Sequence, residues 1–130
     1  MTQPSTHLAI SSRLVGEPVS LEAGQATAKL LTTEEMAADD RGLVHGGFVF
    51  GLVDYAGMLA VNDPNVVLGS AEIRFVAPVR VGEEVIASAK VLESVRKKRQ
   101  IEVSAKVGDR IVIEGTLVAF VLEQHVLGSS

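Results

Sequence analysis

Hydrophobic positions recur at every second residue over much of the second half of the chain. Ile101, Val103, Ala105 and Val107 alternate with Glu102, Ser104 and Lys106, the period of a strand with one buried face. The same strand-like character runs through 66–78, 83–95 and 110–123. Turn signals separate the runs at Val81-Gly82-Glu83, Lys97-Lys98 and Gly108-Asp109. Connections this short demand mostly antiparallel neighbours, because a parallel crossover needs about a dozen residues or more; the runs read as a four-strand meander. The first half is patterned differently. Residues 13–24 and 25–32 predict a hairpin that turns at Ala23-Gly24. Thr32 stands three residues before Glu35, the spacing of a capping box, and predicts a short helix. Residues 39–44 read as a loop. Residues 46–61 are apolar almost throughout and predict one long helix. Asn62-Asp63-Pro64-Asn65 stops it, because Pro cannot continue a helix. Residues 1–12 are polar and poorly patterned, and predict a loose arm or a short helix.

A sheet buries one face and needs a covering layer. Only residues 46–61 are apolar enough to supply it. The predicted fold is therefore α+β, a curved antiparallel sheet wrapped around one long central helix. At 130 residues this is one domain, 1–130, with its core at about 13–123 and a loose Gly-Ser-Ser end. Composition sharpens the picture. Apolar residues make up 47% and aromatics 4%, with no Trp, so the core is built of aliphatic side chains. Such an apolar surplus predicts burial between copies of the chain, since large exposed apolar patches are rare on monomers. The net charge is −4, which disfavours nucleic acid as a partner. With no Cys and three scattered His, neither a thiol nucleophile nor a metal site is predicted. His7 and His125, near the ends, read as incidental. The start lacks the basic and apolar regions of a signal peptide. No apolar run reaches the ~18 residues of a membrane span. A cytoplasmic protein that does not engage membranes is expected.

The long helix carries an anomaly. Asp54 stands near its middle. On a helical wheel its face holds Gly47, Phe50, Gly51, Gly57, Met58 and Val61. Glycine inside a helix costs about 1 kcal/mol against alanine, so three on one face imply close approach by a strand or a ligand. An ionised carboxylate there is costly unless paired or hydrogen-bonded. Two readings stand. Asp54 either bonds backbone amides or an arginine and pins two elements, or it is a base whose pKa burial raises and which a substrate can reach. His45-Gly46-Gly47 opens the helix. First-turn N–H groups point outward at the positive end of the dipole, and glycines let a carbonyl oxygen approach them as negative charge develops on it. From His45 to Asp54 the helix rises on the order of 14 Å. One carbonyl cannot meet both within a chain, whereas a symmetric dimer could bring the helix start of one copy to the aspartate of the other.

The stretch "HGGFVFGLVDYAGMLAVN" resembles the His-Gly-Gly helix of hotdog-fold acyl-CoA thioesterases of the phenylacetate-degradation type. "AEIRFVAPVRVGEEVIASAKV" is similar to the strand pair that follows it there, and the resemblance spans about residues 13–123. It implies the hotdog fold and hydrolysis of an acyl-CoA, with carbonyl donors contributed across a dimer interface. No cofactor is expected, and the apolar surplus together with the separation of helix start and Asp54 predicts a homodimer that pairs into a tetramer. The resemblance implies that Asp54 is the catalytic acidic residue, acting as general base or nucleophile. Gly46 and Gly47 would be the backbone donors to the thioester carbonyl, and His45 a supporting residue. Asp39 stands where many relatives carry an Asn that orients water or substrate. Where some relatives carry a hydroxyl residue after the helix, this chain has Leu68 or Gly69, with Ser70 close by.

The stretches "SAEIRFVAPVRVGEEVIASAKV" and "EVSAKVGDRIVIEG" also resemble the ligand domain of malonyl-CoA-sensing repressors, hotdogs that bind acyl-CoA without hydrolysing it. A non-catalytic acyl-CoA binding module is therefore the alternative expectation. The basic run Arg96-Lys97-Lys98-Arg99 is either a solvated hairpin turn or a clamp for the phosphates of coenzyme A, which clustered Lys and Arg suit.

Overall fold

Six strands and one long helix follow one another in the computed structural model, which describes residues 2–128. The strands β1 (Glu17–Glu22) and β2 (Gln25–Leu31) form the expected hairpin, with Gly24 at φ +75 in its turn. A 3-10 turn (Glu34–Met36) and a loop lead to α1 (Gly46–Val61). Then come β3 (Val66–Phe75), β4 (Glu84–Val95), β5 (Lys98–Val107) and β6 (Arg110–Val121). All pair antiparallel in one sheet, in the order β1-β2-β4-β5-β6-β3. The sheet wraps α1, which is the hotdog arrangement. The loose Gly-Ser-Ser end falls on Gly128, which closes a turn at His125, and on residues 129–130, which lie outside the described residues.

The sheet's inner face follows the period-two pattern. Ala26, Ala28 and Leu30 of β2, Val85, Ala87 and Ala89 of β4, and Ile101, Val103 and Ala105 of β5 are all buried. Ala28 and Ala87 at the mid-positions of β2 and β4 let the helix lie close. Gly57 completes that fit, because a Cβ there would come within 2.6 Å of Leu117 Cδ1 on β6.

Three local expectations give way. The last four strands are not a simple meander, since β3 pairs with β6 at the sheet edge and β4 joins β2 to β5. The eight residues between β3 and β4 reach this far, because three inter-strand steps amount to only ~14 Å. The capping box does not form. Thr32 is 2% exposed and its hydroxyl donates to the carbonyls of Arg80 (3.1 Å) and Glu83 (2.7 Å), while Thr33 takes the N-cap position. The basic hairpin turns one residue early, at Arg96-Lys97, with Arg96 at φ +55. The helix ends where expected, but Asn62 closes it in the left-handed conformation, φ 53 and ψ 49, which Asn tolerates better than most residues.

Candidate functional site

The helix start is assembled by long-range pairing. Isolated bridges join Ala37 to Val44 and Leu43 to Arg80. Asp39 shapes this loop, its carboxylate accepting from the amides of Arg41 (2.9 Å) and Leu43 (3.2 Å). His45 then enters as N-cap, its amide donating to Met36 O (2.9 Å), and Phe48 N donates back to His45 O (3.1 Å). Among the described residues, no acceptor meets the amides of Gly46 and Gly47. The His45 imidazole folds over Gly47, where a Cβ would lie 3.1 Å from Nε2, and meets Phe48 edge-on with centroids 6.2 Å apart. The Phe75 ring covers Gly46, 3.1 Å from where a Cβ would stand. A largely apolar groove of about 320 Å³ opens here, lined among others by Leu43, Gly46, Val49, Phe75 and Val79. Leu43, Phe75 and Val76 around it are all exposed, a grouping that points to contact with an apolar ligand or a second copy.

Asp54 lies two turns further along α1. It is half-buried, and its Oδ1 is buried with no hydrogen-bond partner. Burial raises its pKa above the ordinary 3.8, opposed by the nearby charge of His7. No arginine or backbone amide of the described residues bonds it, so the pinning role finds no partner among them. The glycines of its face divide. Gly57 admits the sheet, whereas a Cβ at Gly51 would meet nothing within 4 Å. The face that carries Gly51 and Asp54 is therefore open beside the first and half-covered at the second.

Ser70 is exposed on β3, just past an irregularity between Leu68 and Ser70. There Gly69 avoids Phe120, whose ring a Cβ would approach to 2.5 Å. The basic run stands at the tip of the β4-β5 hairpin. Lys97 pairs with Glu123 at 3.7 Å, and the Arg99 guanidinium donates to the carbonyls of Arg96 (2.7 Å) and Lys98 (3.1 Å). Val121 N donates to Lys97 O, and Leu122 N to Asn65 O. The hairpin tip thus sits beside the start of β3, and Gly46 sits beside its end. Within one chain the structure does not bring Gly46, Asp54 and the basic run to one point. Among the described residues, no group of three or more His, Asp or Glu gathers as a metal site would require.

Sequence reasoning missed His7. The arm before β1 lies against the body instead of hanging free. Ser5 N donates to Asn62 Oδ1 (2.7 Å), Asn62 Nδ2 donates to Gln3 O (3.0 Å), and Thr2 N donates to Leu21 O (3.0 Å). The His7 ring then stands 6.1 Å from that of Tyr55. The sequence showed His7 only as one residue of a polar, poorly patterned arm.

Comparison with known proteins adds an independent line. A family model described as "Thioesterase superfamily" matches residues 41–112, more than half of the chain. Among solved structures, the uncharacterized protein PH1136 from Pyrococcus horikoshii is 49% identical, with 98% of each chain covered and a TM-score of 0.96. A point variant of the phenylacetic acid degradation protein PaaI from Thermus thermophilus is 26% identical, covering 84% of this chain and 95% of that one, with a TM-score of 0.76. Among curated relatives, methylthioribose-1-phosphate isomerase from Aquifex aeolicus is 51% identical over 110 residues, 85% of this chain and 24% of that protein. The transcription factor FapR from Caldanaerobacter subterraneus is 26% identical over 119 residues, 91% of this chain and 60% of that protein. The chain thus spans less than two thirds of the length of either curated relative.

Proposed function

The chain belongs to the thioesterase superfamily, and from that premise we propose that it hydrolyses an acyl-CoA or a like acyl thioester at a site shared by two copies. The observation that carries this reading is the buried, unpartnered Oδ1 of Asp54 on a helix whose first-turn glycine amides are also without acceptors. A carboxylate with no structural partner and a raised pKa suits a base. In the proposed step Asp54 takes a proton from water as the water oxygen bonds the carbonyl carbon. The amides of Gly46 and Gly47 hold the negative charge on the carbonyl oxygen. The C–S bond then breaks, and the thiolate leaves and is protonated. As a nucleophile, Asp54 would instead form a mixed anhydride that water later opens.

Gly46 and Asp54 are separated by about 12 Å along the axis, so the donors must come from a second copy. The free edge of β3 supports this. Ten residues of unpaired edge strand invite pairing. Antiparallel pairing of two β3 edges about a two-fold axis would set the Phe75 end of one copy beside the Val66 end of the other. The partner's helix start would thereby approach the end of this chain that carries the basic hairpin. Arg96, Lys97, Lys98 and Arg99 would then meet the phosphates of coenzyme A, with the acyl chain or the pantetheine in the apolar groove. Asp39 acts through the loop that positions His45, and Ser70 lies near the two-fold. A homodimer, paired further into a tetramer, is the assembly this reading requires.

The test is thiol release from a panel of acyl-CoA substrates. Wild type should turn over at least one. Asp54→Asn should lose ~10²-fold or more in kcat, a usual scale for a lost general base. Neutralising the basic run should raise KM for acyl-CoA and leave a short, nucleotide-free thioester unaffected. Full turnover by a folded Asp54→Asn protein would end the proposal. The similarity to FapR over 91% of the chain favours a second reading, acyl-CoA binding without hydrolysis. Calorimetric binding with no thiol release from any substrate would establish it.

A further inference from the structure

The segment before β1 is fastened at both ends and crosses α1 between them. Its start is tied to the helix terminus, through Ser5 N to Asn62 Oδ1 (2.7 Å) and Asn62 Nδ2 to Gln3 O (3.0 Å). Its end is tied by the Arg13–Glu35 ion pair and by Gly16, where a Cβ would come within 2.7 Å of Leu52 Cδ1 on the helix. Between these anchors Thr6 is buried, 6% exposed, although it is a polar residue in an irregular segment. Its hydroxyl meets His7 Nδ1 at 2.8 Å. His7 itself adopts φ +55, a conformation uncommon outside glycine that persists when the surroundings enforce it. The ring lies 6.1 Å from Tyr55, the neighbour of Asp54 in the helix, at an interplanar angle of 42°. A buried hydroxyl thus fixes one ring nitrogen, a strained backbone aims the ring, and two tethers hold the strap across the helix.

We propose that His7 is a positioning residue of the Asp54 site: the N-terminal strap holds its imidazole against the Asp54-Tyr55 turn of α1, where its protonated form is a charge partner for the aspartate. This rests on the reading of Asp54 as a base. Thr6 engages Nδ1 and leaves Nε2 without a hydrogen-bond partner among the described residues. Its effect on Asp54 has the required sign, since the His7 charge lowers the pKa that burial raises. The other titratable groups in this neighbourhood are Tyr55 on the same helix turn and Glu17 of β1. Burial foremost, and then Glu17, raise the Tyr55 pKa. Neither group supplies a positive charge at Asp54. No lysine or arginine of the described residues pairs with Asp54, so the imidazole is the cation-forming group that the strap brings to this turn of the helix.

The test is a carbon-13 NMR titration of the Asp54 carboxyl, assigned by its absence in Asp54→Asn, in wild type and in His7→Asn. Asn tolerates positive φ, so the strap should keep its path, and a melting temperature and dimer mass equal to wild type verify this. His7→Gln serves as second variant if Asn disturbs the fold. The expected result is an upward shift of the Asp54 midpoint in the variant, with the acid limb of kcat/KM moving to higher pH by the same amount. Thr6→Val should give a smaller shift in the same direction. An unchanged Asp54 midpoint in a folded His7 variant overturns the proposal, whatever the activity. A shifted midpoint in a protein that releases no thiol upholds the His7–Asp54 coupling and sinks hydrolysis alone.

Discussion

At the scale of the residue, Asp54 is the position at which stability and function should part. Its Oδ1 is buried without a partner, and burial raises its pKa from 3.8. Well below pH 3.8 the carboxyl is protonated in both folded and unfolded chains and makes no difference to stability. As pH rises from there through the raised folded value, the unfolded chain loses its proton first, and the folded state is progressively disfavoured. Asp54→Asn, which cannot ionise, should therefore melt above wild type at pH 7, with the gap closing as pH falls towards 3.8. Thermal melts across pH 4–8 read this directly. A variant that melts below wild type at pH 7 would mean that Asp54 pins the fold after all. The sequence exposed the oddity of this aspartate, because a charge in an apolar helix is visible from its neighbours alone. It did not expose His7. That residue comes beside Tyr55 only through a strap anchored at Asn62 and Leu52, contacts that no local pattern encodes. Thr32 misled for the same reason. Its capping-box spacing was genuine, but its hydroxyl is taken by carbonyls at Arg80 and Glu83.

At the scale of the element, the glycines of α1 have different tasks and should answer differently to alanine. Gly51 meets nothing within 4 Å, so Gly51→Ala should gain helix propensity, up to about 1 kcal/mol. If the open space beside it receives substrate, KM should rise although the protein is more stable. Gly57 lies against Leu117 of β6. Overpacking there costs about 1–3 kcal/mol, offset in part by propensity, so Gly57→Ala should lower stability by on the order of 1 kcal/mol. Chemical denaturation of both variants checks the pair. Equal stabilisation of both would show that the helix and sheet are less closely packed than the structure has them. The strands were legible because alternation such as Ile101, Val103 and Ala105 fixes which face is buried. Their neighbours were not. Period two says nothing of pairing order, so β3 could be read beside β4 when it lies on β6.

At the scale of the whole molecule, the proposed chemistry depends on two copies completing each other's sites. Gly46 and the basic hairpin stand at opposite ends of β3, and Asp54 lies between them on the helix. Two variants separate the halves. Asp54→Asn removes the base. Gly46→Pro removes one amide donor at the first helical position, where proline is tolerated; the nearest atoms to a Cβ there belong to the ring of Phe75, which is 60% exposed. Each should be folded, dimeric by light scattering and nearly inactive. The most direct measurement is thiol release after the two are unfolded together and refolded as a mixture. Shared sites predict activity far above that of either variant, because a mixed dimer holds one intact site, with Asp54 from one copy and Gly46 from the other. A mixture no more active than its two components, although mixed dimers have formed, would contradict a site built from both chains.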